Sequence, residues 1–559
     1  MKELFIHLSV LMLSTVPVSA ADQVLRSSPR TVALTYYVSP SGDDTNPGNL
    51  PTKAWRTISR VNHFSFGPGS TILFEGGQIF SGGLHFDSDD FGNPSSPITV
   101  GSYGVGRATI SAGHGDGILV HNTGGFRISN IKVVGSGRVS NKGSGIRFNN
   151  ELQGDVKIRF IRIDQVEVNG FGKNGISVEG NRAKSGFCDV RITRAEVHDN
   201  ALAGISVAGE FSESSKAYAN EDVYIGYSKS YNNSGVSGKR RSHSGNGILL
   251  SDVNRGIVER SVAYGNGWLC NSGEGGPVGI WAWDSNQISI QHNESYGNRT
   301  GGEYDGGGFD LDAGVTNSAM QFNYSHDNDG PGYLLTQLDY SRPFARNTIR
   351  YNISQNDGRK NHYGAIHIFA ERSNGDSSDD KKILATEVYN NTVYMTPTGS
   401  GDGAAIYIDA DSTADLHVRN NIFQTTGGIP LLDVSTGQKG LLFQGNDFFS
   451  SGTRFEIRWL GAIYGSFDAW RAATGQERAD DKSVGRSVDP ELRSPGGASK
   501  LNDAELLETL DAYRLRGDSP LIDAGLDLRR LFGVDVGIRD YYGNSLTQRT
   551  GFAIGAHQY

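Results

Sequence analysis

The chain has 559 residues, of which 75 are glycine, 16 proline and 2 cysteine; charged side chains make up 20% and the formal net charge is -9. Glycine at about twice its usual share, sparse proline and no low-complexity linker point to one elongated, repetitive body rather than a string of compact domains. With 52 basic against 61 acidic residues and no basic stripe, nucleic acid is excluded as the expected partner.

Residues Met1 to Ala21 read as a secretory signal: Lys2 precedes an apolar run from Leu4 to Val16, and Val18-Ser19-Ala20 supplies the small residues of a cleavage site. No later apolar run is long enough to cross a bilayer, so the mature protein is expected to be exported, periplasmic or extracellular, with no transmembrane segment. Residues 22–70 are assigned to an N-terminal strand (around Tyr36-Tyr37-Val38) and a capping helix, in which Trp55, Ile58 and Val61 fall at helical spacing. Residues 71–450 form the repetitive body, and residues 451–559 a C-terminal cap and tail. In that cap, Phe455 to Trp459 reads as a last strand and Ser466 to Arg471 as a short helix, with Trp459, Tyr464 and Trp470 as packing residues.

The body carries a repeat of about thirty residues. Gly117-Ile-Leu-Val-His, Gly145-Ile-Arg-Phe-Asn, Gly175-Ile-Ser-Val-Glu, Gly204-Ile-Ser-Val-Ala and Gly247-Ile-Leu-Leu-Ser are followed by Gly279-Ile-Trp-Ala-Trp, Gly308-Phe-Asp-Leu-Asp and Gly332-Tyr-Leu-Leu-Thr. Ile366 to Phe369 and Ile406 to Asp409 continue the series. A second series, out of phase, ends in asparagine: Asn293, Asn323, Asn352, Asn390 and Asn420. Stacked asparagines hydrogen-bond from coil to coil; four of them also match the glycosylation acceptor pattern, but the ladder already claims those side chains. Cys188 and Cys270 fall two to three coils apart, about 10 Å or more, and pairing is not expected unless a loop bends back.

On these repeats the sequence resembles the pectate-lyase-like superfamily over roughly Tyr36 to Thr425, and its tail (Ser519 to Gly525, then Ile554-Gly555-Ala556) resembles that of exported bacterial β-helix proteins. The resemblance implies an all-β chain: a right-handed parallel β-helix solenoid with a short N-terminal helical cap and an irregular C-terminal cap. Its relatives are lyases, hydrolases and uronate epimerases, and fold alone does not choose among them.

Strand side chains alternate between faces, so Ile280, Ala282, Phe309, Leu311, Tyr333 and Leu335 point inward while Trp281, Trp283, Asp310 and Asp312 point outward. Adjacent coils lie about 4.8 Å apart, which sets Trp281 beside Asp310 and Trp283 beside Asp312. Asp310 and Asp312 are the expected catalytic acids. Their separation of about 6.5–7 Å along a strand leans towards an inverting glycosidase. Trp281 and Trp283 are expected to stack on sugar rings; the alternative packs them beneath the loop from Asn266 to Pro277. His367, Glu371, Glu179 and His243 are further candidates for substrate contact. His326-Asp327-Asn328-Asp329 falls at a coil corner, where turn chemistry explains its composition.

The expected function is therefore cleavage of a polysaccharide by a monomeric glycoside hydrolase that requires no cofactor. Two alternatives stay open. A polysaccharide lyase or epimerase would bind Ca²⁺ through Asp284, Glu303 and Asp305, although its candidate bases (Arg240, Arg241, Arg359, Lys360) lie at coil corners rather than on the sheet face. A non-catalytic glycan-binding solenoid would keep the aromatic residues and need no paired acids.

Overall fold

The computed structural model describes residues 34–371, 382–398, 403–410, 413–436, 440–452, 454–547 and 551–559. The leader read at Met1 to Ala21 lies outside them. The body is a right-handed parallel β-helix with three faces, a 15-stranded, a 14-stranded and a 13-stranded sheet. Successive coils add one strand to each face, so strands far apart in sequence become nearest neighbours. No helix among the described residues is long and apolar enough to cross a membrane.

The inward positions stack in register: Ile118, Ile146, Ile176, Ile205, Ile248, Ile280, Phe309, Tyr333, Ile366 and Ile406 form one column. All belong to the main core and are essentially inaccessible. β-Branched and aromatic side chains suit these pleated, fully covered strands. A glycine precedes each column residue from Ile118 to Tyr333, where a side chain would collide with the next coil, and alanine takes its place before Ile366 and Ile406. At Gly145 a Cβ would stand 2.5 Å from Gly175 O and 2.1 Å from Val168 Cγ1.

An asparagine ladder runs up one corner, with a shift from the sequence reading. Asn293 Nδ2 donates to Asn323 Oδ1 (3.1 Å), Asn323 to Asn352 (3.1 Å), Asn352 to Asn391 (3.0 Å), Asn391 to Asn421 (2.9 Å) and Asn421 to Asn446 (2.9 Å). Asn390 and Asn420 are therefore not rungs. They occupy the left-handed position held by His292, Phe322 and Tyr351 in earlier coils (φ 52°, 59° and 50°), and asparagine tolerates that conformation well. A second ladder, not foreseen, joins Asn200, Asn233, Asn266, Asn298, Asn328 and Asp357. Asn293, Asn323 and Asn352 are fully buried, which removes them as glycosylation acceptors in the folded chain.

The helix expected near Trp55 to Val61 is present over Ile58–Asn62, capped by Thr57, with buried Trp55 stacked on Tyr36 (4.9 Å between ring centroids). At the other end the helix Phe467–Thr474, capped by Ser466, seats Trp470 against Phe443 and Phe448. The tail then doubles back over the 13-stranded face: Leu501 and Asn502 N–H each donate to Glu294 at 2.6 Å. It builds a second core with Tyr324, Tyr351 and Tyr389. Cys188 and Cys270 are both buried and unpaired.

Candidate active site

The site lies on the outer side of the 14-stranded sheet, where Asn246–Ser251, Val278–Trp283, Gly307–Leu311, Tyr333–Gln337 and Ile366–Ala370 run side by side. The outward register is Leu249, Trp281, Asp310, Leu334, His367, Tyr407. The strand order thus sets Trp281 against Asp310, and Asp312 N–H donates to Ala282 O (2.8 Å), which continues the same alignment one step further.

Burial on this face differs from the open groove expected of the sequence. Trp281 is only 4% exposed, forming a small apolar cluster with Leu249 and Val278 and meeting His243 edge-to-face at 4.8 Å. Trp283 is partly exposed and packs on Phe211 at 5.0 Å, so the two indoles line a partly covered pocket rather than an open groove. The covering loops are long insertions between coils, and their reach over the sheet is not encoded in its periodicity. The exposed rings next to the acids are Tyr304 (43%) and Tyr340 (54%), which carry no repeat signal.

Three carboxylates converge rather than two. Asp310 points away from the core but is 2% exposed, and its Oδ1 has no hydrogen-bond partner. Asp312 and Asp305 both remain partly accessible. Asp305 comes from the glycine-rich loop at Gly301 to Gly307 and stands at φ 49°, a left-handed conformation that costs a non-glycine residue energy. Its Oδ2 accepts Gly276 N–H at 2.6 Å, while its own N–H donates to Tyr363 Oη at 3.0 Å. Gly276 has no room for a side chain there: a Cβ would be 2.1 Å from Tyr304 O. Sequence reading placed Asp305 only in a metal-binding alternative. Its turn-like, glycine-flanked setting was the available signal.

The partners of each acid rank them. Burial raises Asp305, but the Gly276 amide and the Tyr363 hydroxyl favour its charged form. Asp312 is pushed up to about 7 by burial and by the Asp305 charge, with one amide bond, from Ala313 (2.7 Å), opposing that rise. Asp310 stands well above the ordinary carboxylate range because it is buried beside both other acids. All three carboxyls are thus raised by burial, Asp312 to about 7 and Asp310 well above the ordinary range, and Asp305 is the one whose charged form both an amide and a tyrosine hydroxyl favour.

Beside the acids, the preceding coils shape a pocket of about 230 Å³ lined by Ala203, Ser206, His243, Leu249, Trp281 and Trp283, among others. His243 contributes its ring, with Nδ1 2.8 Å from Asn246 Nδ2, and burial lowers its pKa to about 4. His367 is 7% exposed and contacts Tyr363, the partner of Asp305 (5.1 Å), and Tyr407 (4.7 Å). Glu371 sits at the end of its strand, partly exposed, its N–H donating to Gln337 O (2.9 Å). Glu179 lies coils away in an ion pair with Arg147 (2.9 Å).

The alternative metal set does not assemble. Asp284 is fully buried in an ion network: Arg342 Nη2 donates to Asp284 Oδ2 (2.6 Å) and to Asp252 Oδ1 (2.7 Å), and Lys184 holds Asp252 Oδ2 (2.8 Å). Glu303 is exposed. Among the described residues these two and Asp305 form no group with ligand atoms within 4.8 Å of one another; Cys188, Glu221 and Asp222 do, with Arg255 already bonded to both acids. Of the candidate lyase bases, Lys360 Nζ binds the carbonyls of Thr300 (2.9 Å) and Gly302 (3.0 Å), and Arg240 that of Asn271 (3.0 Å). His326 is sequestered at its corner against Glu294 (3.2 Å) and Asp327 (2.9 Å).

No protein-family model matches the chain. A lacto-N-biosidase of Bifidobacterium longum subsp. longum is 25% identical over 489 residues, covering 70% of this chain and 28% of its own length. The chain therefore spans under a third of that relative. The crystal structure of a GH136 lacto-N-biosidase from Eubacterium ramulus superposes with a TM-score of 0.51 at 16% identity, over 69% of this chain and 68% of the other. Pectate lyase Pel9A aligns over 94% of this chain and 96% of its own at 15% identity, with a TM-score of 0.40. The likeness to the solved structures is one of fold, the parallel β-helix.

Proposed function

We propose that this chain is a glycoside hydrolase acting on an oligosaccharide or polysaccharide, with Asp312 as proton donor and Asp305 as the partner that serves as base or nucleophile. The observation that carries the reading is the cluster of three carboxyls on the sheet face, whose two accessible members, Asp305 and Asp312, differ in the hydrogen bonds that favour their charged forms. The reaction class of the lacto-N-biosidase relative supports it. Glycosidic cleavage needs one acid to protonate the leaving oxygen and one carboxylate to serve as base or nucleophile at the opposite face of the sugar. Asp312, titrating at about 7, suits the first task. Asp305, held by an amide and a tyrosine hydroxyl, suits the second. Asp310, the acid first expected to share the chemistry, is too enclosed to reach a leaving group. Tyr304 and Tyr340 supply further exposed ring faces beside the acids. The leader-like residues Met1 to Ala21 fit an exported enzyme, and we take it to work as a monomer.

The test replaces Asp312 and Asp305 separately by Asn and measures turnover and binding on a panel of neutral and uronic-acid glycans. Loss of turnover with binding retained is expected for each. Full turnover in either variant, or unsaturated products whose formation a chelator abolishes, sinks the proposal.

A further inference from the structure

The loop that carries Asp305 is rich in glycine and exposed at Gly301, Glu303 and Tyr304, a soft platform for an acid whose placement decides its chemistry. The segment from Gly358 to Tyr363, two coils further on, reaches this loop with three side chains. Lys360 Nζ donates to Thr300 O (2.9 Å) and Gly302 O (3.0 Å), and Asn361 Nδ2 donates to Gly302 O (3.2 Å). Tyr363 Oη accepts Asp305 N–H at 3.0 Å. We infer that Lys360 is a positioning residue: its ammonium, with Asn361 and Tyr363 beside it, braces the loop so that Asp305 stands over the sheet opposite Asp312. This rests on the hydrolase reading and adds the group that fixes its base or nucleophile in place.

The brace is itself tied to the stack. Gly358 N–H donates to Gly330 O (2.7 Å), Arg359 N–H to Asn328 O (3.1 Å) and Lys360 N–H to Asp329 O (2.8 Å). It leaves the corner at Asp357, which is fully buried and ends the second asparagine ladder by accepting Asn328 Nδ2 at 2.7 Å. Asn361 and His362 are both left-handed, each at φ 61°. Two successive residues with side chains in that region are strained, and such strain persists only where surrounding contacts impose it. The contacts on either side of the pair, at Lys360 and at Tyr363, both lead to the Asp305 loop. An ammonium suits the task because it has three donors and no acceptor, so it can hold two carbonyls at once.

The experiment compares full-length Lys360→Met, Lys360→Arg, Tyr363→Phe and Arg359→Met with the parent. Arg359 is the control: it belongs to the same segment, but its Nη1 donates to Thr396 O on the following coil rather than to the Asp305 loop. Hydrogen exchange over residues 300–307 is read first, since it needs no substrate. Lys360→Met should speed that exchange about tenfold, whereas Lys360→Arg and Arg359→Met should leave it within about twofold. Turnover is then measured on whichever member of the neutral and uronic-acid panel the parent cleaves fastest. Lys360→Met should lower kcat about tenfold or more with KM changed less than about threefold, and Lys360→Arg should recover at least about half of the parent kcat. Tyr363→Phe removes a hydroxyl that favours the charged carboxylate, so the acid limb of kcat/KM should move to higher pH, and Arg359→Met should not move it. If Lys360→Met does not fold, Lys360→Gln, which keeps an amide donor on a shorter stem, is read in its place. Unchanged exchange over 300–307, unchanged kcat, or equal damage from Arg359→Met overturns the inference. A parent that cleaves no glycan ends the hydrolase reading, while the exchange measurement still decides whether Lys360 holds the Asp305 loop.

Discussion

Replacing Asp312 by Asn separates its electrostatic cost from its chemical use. In the folded chain its pKa rises from 3.8 to about 7, chiefly through burial and then through Asp305. A carboxyl that holds its proton more tightly when folded contributes stability below the unfolded pKa and loses it as pH rises through the folded one. The window is therefore about pH 4 to 7. The shift has a ceiling of about 4 kcal/mol, and partial access to water reduces it to about 1–3 kcal/mol. Asn has no such titration. Urea unfolding of both proteins is expected to show Asp312→Asn gaining about 1–3 kcal/mol relative to the parent between pH 4.5 and pH 8. Over the same interval its turnover is expected to be about 10²–10⁴-fold below the parent's. In the parent, kcat should fall as pH rises through about 7, where the donor is lost. Stability curves that run parallel from pH 4.5 to 8 would refute the placement of a strained acid at this position.

Other perturbations probe the scaffold. Asn323→Leu removes a rung that donates to Ile290 O (2.8 Å) and Asn352 Oδ1 (3.1 Å), and should cost about 2–5 kcal/mol by urea unfolding; a loss under about 1 kcal/mol would mean the ladder is ornamental. Arg342→Met strands Asp252 and Asp284 without their guanidinium and should cost about 3–5 kcal/mol, measured the same way, with an unchanged midpoint as the contrary result. Gly276→Ala drives a Cβ into Tyr304 O and should displace Asp305, lowering kcat about tenfold or more while the thermal midpoint barely moves. Tyr340→Ala should raise KM about fivefold and leave kcat within about twofold, as removal of a stacking face predicts; a selective fall in kcat would assign the ring a different task.

Much of this molecule follows from short-range pattern. The alternation of Ile280, Ala282, Phe309 and Leu311 with Trp281, Trp283, Asp310 and Asp312 is enough to assign faces, because strand side chains have a period of two. The recurring glycines are enough to align coils and to set Trp281 against Asp310, because a parallel stack leaves one register that buries the whole inward column from Ile118 to Ile406. The same alignment misplaced the upper asparagine rungs by one residue where Asn390-Asn391 and Asn420-Asn421 offered two choices, and only the backbone torsion distinguishes them.

What the tertiary structure alone decides is which outward residues see water and which residues the loops bring to them. Asp305 reaches the cluster because Gly276 and Tyr363, the latter 58 residues away, hold it there. Asp310 and Trp281 are enclosed because insertions between coils fold over the sheet, and Asp284 is withdrawn by an arginine 58 residues distant. The tail finds Glu294 from 207 residues away. Local sequence encodes the repeating core because each coil buries the same face in the same way. The insertions obey no period, so their contacts depend on shape and charge assembled across the whole stack.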